Sequence, residues 1–498
     1  MNDFTPHITH FIDSILASVG FFKTELILAI GFLLCVFSSL FFDRKWKDSS
    51  FSIAILTLIA ALICSFLQYE DLGTGFFGML QIDNMALLSK TLILIGLLVS
   101  AVMIRQHFEK RETKKRKGDL YSILIGSSIG LLILVMTSNW LLAFIAIEMV
   151  SISSYILVGY FAEDKKQTEA AMKYALFGSA CAAIMLYGLS LLYGFTGVLD
   201  FADTRHIQGL IDSPKVMSSI AILFMLTGIG FKLSFVPFHL WTPDVYEGAP
   251  TPITAFLSTV PKIAAIVLFA RLAASYGTTL FYFSDIFVLF LTIVAIVSML
   301  AGNLIALRQY NVKRMMAYSS IGHTGFLLMA VVGYMGGHQD TLLFYLFVYT
   351  LMNLAAFGFI DILEQKYAAN EFSDYTGMGK RMPIIFTLFS IVGISLVGLP
   401  PTAGFIGKLL VFSSIFEIFQ QNEEATHLWL LIIGALTSVI SLFYYFKIPL
   451  FAFLKHKSEN ESLGGPTITA TYVIAVVLAL LLLLFGIFPT IIINFFQQ

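Results

Sequence analysis

Charge is the first thing this chain lacks. Of its 498 residues only 12 % are Asp, Glu, Lys or Arg and 58 % are hydrophobic, where a soluble domain carries about 25 % charged residues. So few charges cannot build a water-facing surface, which excludes a soluble globular fold. Long polar stretches are missing too. The largest are RQHFEKRETKKRKG (105–118), EQKYAANEFSDYTGMGKRM (364–382) and KHKSENESLGG (455–465), too short to hide a redox or nucleotide-binding domain. Cysteine is nearly absent: Cys35, Cys64 and Cys181 stand alone in three different apolar runs, without the paired spacing of disulfide, zinc or iron–sulfur sites. The nine histidines show no metal-ligand spacing, and only His323 lies at the middle of an apolar run. MNDFTPHITHFIDSILASVG has no Lys or Arg before Lys23, so it does not read as a signal peptide and is expected to be retained as a short amphipathic lead-in. GTGFFG (Gly73 to Gly78) spells a dinucleotide fingerprint, but it lies between two apolar runs with no strand before it and no amphipathic helix after it. It reads as a chance match.

What remains is apolar and continuous. Runs of roughly 18 or more residues with few charges mark transmembrane helices. Fourteen occur, near 25–42, 50–68, 80–104, 119–136, 139–162, 170–196, 216–237, 252–276, 283–307, 312–336, 340–363, 383–419, 428–450 and 468–494. They are rich in Leu, Ile and Phe and do not alternate in polarity, which excludes a transmembrane β-barrel. The expected fold class is an all-α polytopic membrane protein. GSSIG in the fourth run, with Gly126 and Gly130, fits small-residue helix packing.

Orientation follows from lysine and arginine in short loops and at span ends. With the 105–118 loop in the cytoplasm and each span alternating, 21 basic residues fall on the inner side and only Lys23, Arg205 and Lys215 on the outer. The inner set includes Arg44, Lys45, Lys47, seven residues of the 105–118 loop, Lys165, Lys166, Arg308, Lys313, Arg314 and Lys457. The split predicts both termini outside.

Six of the thirty basic residues are left within spans: Lys90, Lys173, Lys232, Lys262, Arg271 and Lys408. A charge at the bilayer centre costs about 2.5–3.5 kcal/mol unless it snorkels, pairs or meets water. Arg271 and Lys173 lie near span ends and can reach an interface. Lys90 has Asp83 on its helix face at i−7. Lys232, Lys262 and Lys408 lie a turn or more from either interface, and Glu148 is about ten residues into the fifth span. One deep carboxylate and three deep lysines point to a proton or ion pathway; the plainer reading is a static ion-pair network that fixes packing.

Prolines break two of these helices. The missing N–H of Pro237, five residues after Lys232, leaves the Leu233 carbonyl without its helical bond. GLPPTAGFIGK (398–408) repeats this with Pro400 and Pro401 ahead of Lys408. Broken helices within a bilayer line protein or water-filled cavities and form transporter sites, and freed carbonyls stabilise a nearby cation. The breaks fall in the seventh and twelfth spans. A five-helix unit repeated in series must be inverted, because five is odd, and Glu148 in the fifth span then corresponds to His323 in the tenth. The chain divides into a three-helix region (1–118), a first five-helix unit (119–276), a second, inverted one (283–450) and a last span (468–498).

LSFVPFHLWTPDVYEGAPTPITAFLSTVPKIA (233–264), KRMMAYSSIGHTGFLLM (313–329) and GLPPTAGFIGKLLVF (398–412) resemble the antiporter-like membrane-arm subunits of respiratory complex I. The resemblance runs from the fourth to the fourteenth helix. It implies fourteen transmembrane helices, two inverted five-helix repeats and broken helices seven and twelve. It further implies that Glu148 and Lys232 form a glutamate–lysine pair, that Lys262 bridges the middle of the membrane, and that Lys408 is the exit-side group. His323 and Lys173 match a histidine of helix ten and a lysine of helix six. M-type members carry glutamate where this chain has Lys408, and L-type members run on into a lateral helix where this chain stops at Gln498, so the N type is favoured. The implied activity is proton translocation coupled to electron transfer from NADH to quinone. NADH, FMN, iron–sulfur clusters and quinone are expected in the complex and none in this chain. The expected partners are other membrane-arm subunits, lipid and protons, not nucleic acid, in a bacterial inner membrane. The relatives with the same fold leave a subunit of a multi-subunit Na⁺/H⁺ antiporter as one alternative, and a structural membrane-arm scaffold with a static ion-pair network is the other.

Overall fold

The computed structural model describes residues 5–42, 46, 48–70, 72–109, 115–161, 164–277, 283–455 and 468–496. Arg44, Lys45, Lys47, Lys110, Arg111, Lys114 and Lys457, counted above for orientation, lie outside them, as does most of the 455–465 loop.

Among the described residues, fourteen helices are long and apolar enough to cross a membrane. In chain order, spans 1 to 7 are Ile12–Phe41, Ser49–Leu67, Asn84–Phe108, Gly118–Met136, Trp140–Val158, Lys165–Thr196 and Lys215–Leu233. Spans 8 to 14 are Thr251–Tyr276, Ser284–Ala306, Val312–Met335, Gln339–Tyr367, Ala403–Asn422, Ala425–Leu454 and Ala470–Ile487. A shorter apolar helix, Pro383–Val397, precedes span 12. The chain is a multi-pass membrane protein.

Burial sorts these spans. The apolar window of span 8 is 100 % buried and those of spans 10 and 11 are 94 % buried, whereas span 6 is 28 % buried. In lipid an outward face must be apolar, while a helix enclosed by others can carry polar side chains that its neighbours satisfy. Spans 8, 10 and 11 are therefore where buried polar chemistry can be housed. The peripheral spans turn residues such as Leu176, Phe177, Val439 and Phe443 outward.

Both proline-containing segments interrupt their helices. Span 7 ends at Leu233 with Ser234 in a left-handed conformation (φ 59°), and helix resumes only at Trp241. Pro383–Val397 ends at Gly398 (φ +86°), and helix resumes at Ala403. Gly404 lets the two halves close on each other, since a Cβ there would run into the Ser395 carbonyl oxygen. Gly130 permits a similar approach of spans 4 and 5, where a Cβ would come to 2.9 Å from the Ala146 oxygen.

Three details differ from the sequence reading. Span 1 begins at Ile12, well before residue 25, because the lead-in helix continues through a 3₁₀ turn at Gly20–Phe22. Lys23 and Glu25 therefore lie inside it. The expected seventh span runs to 237, but helix stops at Leu233, and within FHLWTPDVYEGAPTP a separate helix, Trp241–Gly248, buries Trp241 and Tyr246. GTGFFG contributes Gly73–Gly75 to a hairpin with Leu80–Ile82, with left-handed Phe76, Phe77 and Gly78 at its turn.

Candidate functional site

Lys262 is 1 % exposed at the middle of span 8. Its Nζ donates to Ser320 Oγ at 2.7 Å, to the Ser320 carbonyl at 3.2 Å and to Thr324 Oγ1 at 3.0 Å. Three acceptors match the three N–H bonds of an ammonium, which is how a buried charge is tolerated without a carboxylate. One helical turn of span 10 supplies them all.

This shell is tied to the break after span 7. The carbonyl of Leu233, freed because Pro237 has no N–H, accepts from Thr324 Oγ1 at 2.9 Å. The same hydroxyl thus serves Lys262 and closes the broken helix. On its other side, Ser320 Oγ is bonded to Tyr349 OH at 2.9 Å, and Tyr349 donates to the Ser258 carbonyl at 2.9 Å.

His323 is buried between Ser320 and Thr324 on span 10 and bonds Tyr345 OH through Nδ1 at 2.9 Å. Lys408, 4 % exposed, donates to the Val397 carbonyl at 2.8 Å and to Ser438 Oγ at 3.3 Å. Val397 is the residue whose helical acceptor bond Pro401 removes, so this second freed carbonyl holds a cation directly. Gly398 is required beside it, because a Cβ there would sit 2.7 Å from Lys408 Cδ.

Lys232 is placed differently from the expected pair. It is buried in the last turn of span 7, and its Nζ has no hydrogen-bond partner. Among the described residues no carboxylate lies within 4.0 Å of it. It borders a narrow apolar crevice with Ile147, Val150 and Pro261. Glu148 is half-buried and takes a bond from Ser151 Oγ at 3.3 Å. The Glu148 carboxylate and the Lys232 ammonium are not in contact.

Lys173 is not part of this buried set. Its side chain is 37 % exposed and pairs with Glu169 at 2.9 Å and Asp244 at 2.7 Å. Asp244 also binds Arg314 at 2.8 Å, and Arg314 binds Glu247 at 3.0 Å. The cluster lines a cavity of about 190 Å³ at the basic face. Burial pushes the Asp244 carboxyl up, but hydrogen bonds from Lys173 and Arg314 outweigh it and leave the group below its ordinary value.

Sequence reasoning gave Lys90 the wrong neighbour. Asp83 binds Arg271 through both oxygens, at 2.8 and 2.7 Å, and Lys90 pairs with Glu25 at 2.7 Å, both side chains 0 % exposed. Glu25 escaped notice because it was placed at the outer end of a shorter first span. The buried contact of Asp361 with His107, at 2.5 Å, was also missed, as were the hydroxyls around Lys262. In the sequence those hydroxyls are visible only as the polar letters of AYSSIGHTG.

Residues 137–441 match the family described as NADH:quinone oxidoreductase/Mrp antiporter, transmembrane. A protein of Chloroherpeton thalassium named NADH-quinone oxidoreductase subunit N 2 is 35 % identical, over 97 % of this chain and 94 % of that protein. A chain of Thermus thermophilus respiratory complex I with bound aureothin is 27 % identical, with a TM-score of 0.77 over 95 % of this chain and 98 % of that one. A chain of the Mrp complex from Dietzia has a TM-score of 0.80, over 95 % of each chain, at 18 % identity, a likeness of fold alone. The fold is shared across both branches, and sequence identity over the full length is what separates them. The chain belongs to the membrane-subunit family of NADH:quinone oxidoreductases and Mrp antiporters.

Proposed function

We propose that the chain is an N-type, proton-translocating subunit of the membrane arm of a bacterial NADH:quinone oxidoreductase. Other subunits would pass electrons from NADH through FMN and iron–sulfur centres to quinone, and this chain would move protons through its buried lysines. The observation that carries the reading is the Lys262 shell, a mid-membrane ammonium site bonded through Thr324 to the broken helix that bears Lys232. Its setting is a chain with 35 % identity over 97 % of its length to an N subunit, which favours this reading over an Mrp-type antiporter.

In this reading the units 119–276 and 283–450 are the two inverted repeats, set between a three-helix region (1–118) and a last span (468–498). The basic face is cytoplasmic and the termini lie outside, in an inner membrane, beside other membrane-arm subunits. Approach of the Glu148 carboxylate favours the charged form of Lys232; withdrawal leaves that charge against an apolar crevice, where it is costly. A shift of Lys232 moves the Leu233 carbonyl, and Thr324 transmits the shift to Lys262. The proton held there passes along the His323 side to Lys408 and leaves toward the outer face, and Lys262 refills from inside. Each proton works against about 2.3 kcal/mol per 100 mV. Lysine suits the task because, unlike arginine, it can give up its proton when buried.

The test is Lys232→Met in the assembled complex, read as NADH-driven proton uptake by inverted vesicles. Pumping should be lost while the complex still assembles. Undiminished pumping would make the lysines a static packing network.

A further inference from the structure

The proposed relay needs a route from the basic face to Lys262, and the buried polar atoms that lack a protein partner mark one. Four residues of the segment that joins span 7 to span 8 carry such atoms: Ser234 Oγ, His239 Nδ1, Thr242 Oγ1 and Tyr246 OH. Ser234, Thr242 and Tyr246 are 0 % exposed. Buried polar side chains without protein partners are ordinarily satisfied by ordered water. Four of them within one short segment mark a seam that water can occupy.

The two ends of this seam are chemically distinct. The helix Trp241–Gly248 turns Asp244 and Glu247 to the charged cavity at the basic face, where they bind Lys173 and Arg314. Its other side carries Tyr246 into the core. The Tyr246 hydroxyl forms no hydrogen bond, and the helix that carries it is tied through Asp244 and Glu247 to Arg314 of span 10, the span that also carries Ser320. Ser320 is the residue whose hydroxyl takes the 2.7 Å bond from Lys262. A free buried hydroxyl thus stands on the helix that floors the open cavity, beside the span that carries the ligand of the central lysine.

Resting on the relay reading above, we infer that Tyr246 is the uptake gate through which protons from the basic face reach Lys262. The step balances as a hydroxyl relay. A hydronium ion in the seam gives a proton to the Tyr246 oxygen and becomes water. Tyr246 passes its own hydroxyl proton to Ser320 Oγ, and Ser320 passes its hydroxyl proton to the free amine of Lys262. One N–H bond forms, and both hydroxyls end with the proton they received. Thr242 and His239 hold the water that leads to Tyr246.

The test is Tyr246→Phe in the assembled complex, which keeps the ring packed against Trp241 and Phe357 and removes only the oxygen. NADH-driven pumping in inverted vesicles should fall at least three-fold, and its solvent deuterium isotope effect should rise, a change that lost packing would not produce. Thr242→Val should slow pumping in the same sense to a smaller extent, and it serves as the test if Tyr246→Phe fails to assemble. Normal pumping with an unchanged isotope effect in the assembled variants overturns the gate. Lys262→Met separates the two claims. If Lys262→Met abolishes pumping while Tyr246→Phe and Thr242→Val pump normally, only the uptake route fails. If Lys262→Met pumps normally, the relay itself fails.

Discussion

Thr324 is the most economical place to perturb the site, because one hydroxyl serves two elements. It accepts from Lys262 Nζ at 3.0 Å and donates to the Leu233 carbonyl at 2.9 Å. Thr324→Val keeps the shape and strands both partners. A buried polar group left unsatisfied costs about 1–3 kcal/mol, and more where it is charged, so the pair amounts to roughly 2–6 kcal/mol before any water relieves it. The carbonyl's share falls on the stability of the broken helix. The share borne by Lys262 falls on its charged form and hence on proton transfer, where about 1.4 kcal/mol is tenfold in rate. Thr324→Val should lower NADH-driven pumping about tenfold or more and lower the thermal stability of the purified complex. Thr324→Ser, which restores the hydroxyl, should recover most of both. If the valine variant pumps at the normal rate, the bond between the break and the central lysine has no part in transport.

Two further predictions concern charges away from the relay. Lys90→Met strands the Glu25 carboxylate at a site where both side chains are 0 % exposed and should destabilise the chain by about 3–5 kcal/mol. The double variant Glu25→Leu/Lys90→Met should regain most of that in thermal unfolding in detergent; a double variant no better than the single one would show that the pair does not act as a unit. Asp244 tests the basic-face cluster by pH. Its folded carboxyl lies below the ordinary value because hydrogen bonds from Lys173 and Arg314 outweigh burial. The stabilisation is therefore present above about pH 4 and is lost as pH falls through the lower folded value. The thermal stability gap between the native chain and Asp244→Asn should be open at pH 7 and close as pH falls below that value. A gap that persists there would assign it to packing.

The architecture was legible because a bilayer imposes long apolar runs, and most of the fourteen expected runs lie within a few residues of the observed spans, the twelfth being divided at its break into Pro383–Val397 and Ala403–Asn422. The first run is instructive. Span 1 is extended by the lead-in helix, and the polar letters of MNDFTPHITHFIDSILASVG hid an apolar continuation that places Glu25 beside Lys90. The proline breaks were legible because a missing N–H is a local fact, and the Leu233 carbonyl does find a new donor. Which donor was not legible. Thr324 lies 91 residues away in sequence, and its approach depends on the packing of spans 7, 8 and 10. For the same reason Lys262 could be recognised as costly but not as satisfied by hydroxyls. The Glu148 and Lys232 side chains could be named as neighbours but not shown to be out of contact.

The central claim is that the buried lysines give up and regain protons. Lys262→Arg addresses it most directly, because arginine keeps the charge and can bond the Ser320 and Thr324 oxygens but does not deprotonate. The measurement is the number of protons taken up by inverted vesicles per NADH oxidised. The account predicts a loss of pumping in an assembled Lys262→Arg complex as severe as in Lys262→Met. A Lys262→Arg complex that pumps normally would contradict it, because a fixed positive charge at that position would then be sufficient.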